Sequence, residues 1–163
     1  MSKPDQMSQS YVMSDDAVRF ATMIMAGQGV SNEDAAIIAE CLVEADLRGV
    51  QTHGLSRLPV YVDRVQRGLV KAVPDMKLEK PVAACASLDG DNGFGFLVGR
   101  RAMQEAITMA DSCGVGVVAA RNSNHFGMAA TYLLQAVKAG YFAFVFTNAS
   151  KAMPPWGGRE GLL

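Results

Sequence analysis

The chain has 163 residues, half of them apolar, with 15 lysines and arginines against 16 aspartates and glutamates and a net charge of −1. That is enough for one ordinary domain with a core, and the balanced, scattered charge excludes a phosphate-binding surface for nucleic acid. Every long apolar stretch is broken by glycine, proline or charge, so no membrane span is expected.

Residues 1–13 read as a flexible tail, because the polar start has no apolar signal-peptide core. A helix is expected from Ser14, with Ser14 as N-cap, Asp15 and Asp16 in its first turn and Val18, Ala21 and Met25 on its apolar face. Gly27 and Gly29 end it. Ser31 opens a second helix as a capping box with Asp34. Ile37, Ile38, Cys41, Leu42 and Ala45 recur at helical spacing up to about Arg48.

A short break follows over Gln51, Thr52, His53 and Gly54. A third helix then runs to about Arg67, with Pro59 in its first turn and Leu58, Tyr61, Val62, Val65 and Leu69 as a buried stripe. These segments make residues 14–70 a helical N-terminal region.

The pattern then changes. Pro81 to Leu88 reads as a strand, and Asp89 to Gly93 as a turn. A helix is expected from Leu97 to about Ser112, a strand from Gly114 to Ala120, a helix from Met128 to Lys138, and a last strand from Tyr141 to Thr147. Strands alternating with helices argue for an α/β layer with some parallel pairing over residues 81–163. The fold class is therefore α/β, helical at its start. The chain closes on the loop-like run Pro154 to Leu163, which reads as an interrupted domain with an unpaired sheet edge.

Cys41, Cys85 and Cys113 are odd in number and widely spaced, with no CxxC pair. No metal site or disulfide framework is indicated, and the three fit small buried side chains in a reducing cytoplasm. Gly90, Gly93 and Gly95 do not follow GxGxxG, and Gly114 with Gly116 lacks a third glycine. No dinucleotide fingerprint or phosphate loop is therefore visible, and these glycines read as turns and close packing. Asp89, Asp91 and Asn92 are too few for a calcium loop.

His53 and His125 are the two histidines of the chain. Each lies in a break before a helix, and His125 follows a valine-rich strand, at the end where α/β sheets place their chemistry. Histidine exchanges a proton near neutral pH. Arg57, four residues after His53, can hold a carboxylate through two parallel hydrogen bonds. A histidine and an arginine are the minimum kit for reducing a 2-oxo acid. The loop of residues 147–158 offers Asn148, Ser150 and Lys151 for polar substrate or cofactor groups.

Three segments, Glu44 to Pro59, Ala120 to Gly127 and Thr147 to Gly158, resemble the type-2 malate/L-lactate dehydrogenase family in order and spacing. The specific parts are Asp46-Leu47-Arg48-Gly49 with Thr52-His53-Gly54 and Arg57, and Asn122-Ser123-Asn124-His125-Phe126-Gly127. The resemblance implies the family's own α/β sandwich and not a classical Rossmann domain. It implies hydride transfer between NAD or NADP and a small 2-oxo or 2-hydroxy acid, in a homodimer with sites between subunits. His53 matches the proton-donating histidine, Arg57 the arginine near the carboxylate, and His125 a second active-site histidine; either histidine fits the acid/base role. Arg48, Thr52 and Asn124 fall on matching positions as substrate- or cofactor-binding candidates. Family members continue past the proline-tryptophan-glycine loop. The alternative expectation is thus a truncated, inactive chain that acts at most as a dimerising module.

Overall fold

The computed structural model describes residues 11–148 and 157–161. Residues 11–13 are exposed; the remainder of the expected tail lies outside the described residues.

Three helices come first: α1 (Ser14–Ala26), α2 (Asn32–Leu47) and α3 (Leu58–Gln66). The cap of α1 is Met13, and Ser14 is already helical, its hydroxyl turned to the Asp15 carboxylate and not to a backbone N–H. The Ser31 cap is as expected: its hydroxyl oxygen accepts from the Asp34 N–H at 3.1 Å. Pro59 sits in the first turn of α3, where a missing N–H leaves no bond unmade. Gly68, at φ 67°, closes α3 before Leu69, which is exposed; Val70 is buried in its place.

The first strand begins earlier than the sequence suggests and folds back at once. β1 (Lys77–Val82) and β2 (Cys85–Gly93) form an antiparallel hairpin around residues 83–84. Pro81 is tolerated because β1 is an edge strand. The turn-forming residues expected to end a strand lie inside β2. Asp91 and Asn92 take positive φ there, and the register with the next strand shifts between Asp89 and Gly93. Their turn propensity is expressed as a bulge.

Helix α4 (Gly95–Cys113) crosses over to β3 (Val117–Ser123), which pairs parallel with β2, giving the order β1-β2-β3. Gly114 takes the left-handed cap of α4 at φ 77°, so β3 starts three residues later than expected. Helix α5 (Ala130–Lys138) follows. The stretch 141–147 is not a strand among the described residues, yet it keeps a period of two. Tyr141, Ala143 and Val145 pack against a small core of Met103, Ile107, Tyr132 and Ala136, while Phe142, Phe144 and Phe146 face outward against one another.

The larger core joins the two layers. Phe94, Phe96 and Leu97, at the start of α4, are buried with Met25, Ile38, Leu42 and Tyr61 of the three helices. Each phenylalanine contributes roughly 2–3 kcal/mol by burial. Cys41 lies in this core, and burial pushes its thiol up to about 12, which keeps it protonated. The expectation of three buried cysteines holds for Cys41 only, since Cys85 is half-buried and Cys113 exposed. Among the described residues no helix is long and apolar enough to cross a membrane.

Candidate active site

The break after α2 is two consecutive 3-10 turns, Gln51–His53 and Leu55–Arg57, leading directly into α3. The Arg57 side chain donates from Nε to the Thr52 carbonyl at 3.0 Å, which folds the guanidinium back beside the first turn. The Thr52 hydroxyl lies 3.0 Å from Nδ1 of His53.

His125 arrives from the far side, on the loop after β3. Asn122 turns the chain at φ 51°. Its amide donates to the Asp89 carboxylate, which also accepts from the Asp91 N–H and pairs with Arg121. The Asp91 N–H first, then the Asn122 amide, hold the Asp89 carboxyl below its ordinary range. Asn124 then locks the loop to the β2 bulge. Its side-chain nitrogen donates to the Asn92 carbonyl, the Asn92 side chain and the Gly93 carbonyl at 2.9–3.1 Å, while its oxygen accepts from Nη2 of Arg64 at 3.0 Å.

Gly95 sits where α4 passes under this loop. A Cβ there would run into the carbonyl oxygens of Asn124 and His125. Gly95→Ala is therefore expected to destabilise the fold by about 1–3 kcal/mol, as overpacking does, and to displace His125. Thermal denaturation measures the first effect and turnover the second; a fully active Gly95→Ala chain of unchanged stability would contradict this packing.

The two histidines meet. Their rings stack with centroids 5.4 Å apart and planes 22° from parallel. Tyr61, on α3, reaches the same point: its hydroxyl lies 2.9 Å from Nδ1 of His125, and the rings stack at 6.2 Å. Edge contacts with Phe94 and Phe96 hold the Tyr61 ring in the core. Burial pushes the Tyr61 phenol up to about 12, against the pull of Arg57 and Arg64, so it keeps its proton. Loss of water on its packed side, then the positive charge of Arg57, His53 and Arg64, lowers the pKa of His125. A half-stripped imidazole below its usual range is suited to proton exchange with a hydroxyl.

The remaining candidates fall in different places. Arg48 is exposed, 3.4 Å from Glu44 in an ion pair on the solvent side of α2. Asn148 is exposed at the end of the 141–148 stretch. Ser150 and Lys151 lie outside the described residues. Gly90 packs against Val98, Gly93 against Pro74, and Gly95 against the 124–125 backbone, so these glycines serve internal packing. Among the described residues no group of three metal-ligating side chains occurs. Two clefts, one around Arg100 between α2, α4 and α5 and one around Phe20 between α1 and α3, include neither histidine; His53 is half-buried and His125 exposed.

Sequence reasoning missed Tyr61 and Arg64 as site residues and placed Tyr61 in the apolar stripe alone. The signal was there: Tyr61 lies four residues after Arg57, one helical turn on. A family model described as malate/L-lactate dehydrogenase matches residues 12–163. The chain belongs to this family. The L-sulfolactate dehydrogenase of Methanocaldococcus jannaschii is 44% identical over 135 residues, covering 83% of this chain and 39% of that protein. The 2,3-diketo-L-gulonate reductase of Escherichia coli is 32% identical over 139 residues, covering 84% of this chain and 41% of its own length. The solved malate dehydrogenase of Pyrococcus horikoshii superposes with a TM-score of 0.76 at 41% identity, covering 81% of this chain and 40% of that one. The chain thus spans about two fifths of the length of these family members. Mixed α/β architecture, helices before strands, is common ground with these dehydrogenases.

Proposed function

We propose that this chain supplies the proton-transfer and carboxylate-binding groups of a dehydrogenase that interconverts small 2-oxo and 2-hydroxy acids, of malate or sulfolactate type, with NAD or NADP. One observation carries the reading: His53 and His125, 72 positions apart, stack at 5.4 Å beside Tyr61, with the Arg57 charge acting on His125. Packing alone does not call for two imidazoles and a guanidinium at one exposed point.

When bound, the nicotinamide supplies or accepts the hydride at C2 of the acid. His125 carries the proton. The contact of Nδ1 with the Tyr61 hydroxyl fixes the ring and leaves Nε2 as the nitrogen for the substrate oxygen. In reduction Nε2–H gives its proton to the developing alkoxide; in oxidation the free Nε2 takes it from the hydroxyl. Arg57 pairs with the carboxylate through its terminal nitrogens, its Nε being held by Thr52. His53, held by Thr52, stacks on the His125 ring. Asn124 positions His125, since its amide already bonds to the β2 bulge and to Arg64. Asn148, Ser150 and Lys151 remain candidates for the cofactor side, and Arg48 for a peripheral contact.

The test is oxidation of NADH and NADPH with oxaloacetate, pyruvate and 2-oxoglutarate. The chain is assayed alone and as a chimera carrying the C-terminal part of the Pyrococcus horikoshii malate dehydrogenase. Turnover of at least one 2-oxo acid by the chimera is expected; none with any acid would defeat the reading.

A second reading is self-association, and Phe142, Phe144 and Phe146 favour it. These rings are exposed and in mutual contact on a stretch whose other face is packed. In sedimentation the chain alone is expected as a dimer or larger species, and Phe144→Glu as a monomer. A monomeric parent chain would remove this reading.

A further inference from the structure

Asp46 lies on the last turn of α2, two residues before Arg48, and is half-buried. Its carboxylate oxygen Oδ2 accepts the Leu55 N–H at 2.8 Å, nine residues on. Leu55 stands midway between His53 and Arg57 and opens the second 3-10 turn. A charge-assisted bond at that point ties the turn to the rigid end of a long helix. Within the turn, the other side-chain bonds are internal: Ser56 to the Gln51 carbonyl, Arg57 to the Thr52 carbonyl and the Thr52 hydroxyl with Nδ1 of His53. They shape the turn but do not anchor it.

Gly54 adds an independent observation. Its backbone is extended at φ −92° and ψ −155°, so no left-handed conformation calls for glycine. Glycine is needed there for a different reason: a Cβ would overlap the Asp46 carboxylate. The carboxylate fills the space that a side chain at position 54 would take.

We infer that Asp46 is a positioning residue, its carboxylate clamping the turn that presents His53 and Arg57, with Gly54 as the opening that admits it. The inference rests on the roles proposed for those two side chains. It also makes a claim about the turn that is independent of turnover.

The experiment compares Asp46→Ala, Asp46→Asn and Gly54→Ala. One readout is kcat and KM for the best 2-oxo acid, and the other is hydrogen–deuterium exchange at the Leu55 amide. Asp46→Ala is expected to lower kcat/KM by about 100-fold, the loss that a shift of about an ångström at a reacting group produces. Gly54→Ala is expected to behave alike. Asp46→Asn keeps an acceptor oxygen and is expected to stay within a few-fold of the parent. Leu55 exchange accelerates in the two alanine variants and not in the asparagine variant. Equal losses in Asp46→Ala and Asp46→Asn, or an unaffected Asp46→Ala, would overturn the clamp. If the parent turns over no 2-oxo acid, the dehydrogenase reading falls by itself. Leu55 exchange then decides the clamp alone, and unchanged exchange in Asp46→Ala overturns it.

Discussion

His125→Asn lowers kcat by about 10²–10⁴-fold, the range that a positioned general acid or base contributes. Its Nδ1 meets the Tyr61 hydroxyl at 2.9 Å and its ring stacks on His53. Asparagine fills similar space but carries no exchangeable proton near neutral pH. His53→Asn is expected to cost less, because its ring packs on the acid without being bonded to Tyr61. The reverse ranking would move the acid role to His53. The pH profile checks the assignment separately. His125 must be protonated to give a proton in reduction, and its pKa lies below the ordinary 6.5. The reduction rate therefore falls as pH rises through a value under 6.5, while oxidation rises across the same window. Tyr61→Phe removes the hydroxyl that fixes the ring, and about a 10-fold loss in kcat is expected, with little change in KM. The same depressed pKa has a thermodynamic consequence. Between the folded value and 6.5 the unfolded chain binds more protons than the folded one, so stability falls as pH falls across that window. His125→Asn flattens that slope in urea titrations at a series of pH values.

Arg57→Met raises KM for the 2-oxo acid by about 10- to 100-fold, as loss of hydrogen bonds to a charged group worth about 1.5–3 kcal/mol requires. Arg57→Lys recovers part of this, since an ammonium supplies the charge but not the two parallel bonds. A second readout accompanies the first. The Arg57 charge stands next after loss of water among the causes that depress His125. Its removal moves the apparent pKa of the reduction profile upward, toward that of a free histidine. A KM increase with no shift in the profile would place Arg57 on the substrate but away from His125. A shift with no KM change would make it an electrostatic neighbour and not an anchor.

The parts of this protein that the sequence determined are those governed by local chemistry. Ser31 caps α2 and Pro59 opens α3, because hydrogen bonding and φ preference act within a few residues. The His53–Arg57 spacing and the loop around His125 were legible for the same reason. Tertiary structure decided the rest. The turn residues Asp89 to Gly93 became a bulge inside β2 because pairing with β3 at Asp89 and again at Gly93 outweighs local turn propensity. Tyr61 looked like any core residue of an amphipathic helix. Whether its hydroxyl meets water, a carbonyl or an imidazole depends on where a loop 64 positions away is held. That placement comes from Asn124 and Gly95, through hydrogen bonds and close contact between segments distant in the chain, which no periodicity records.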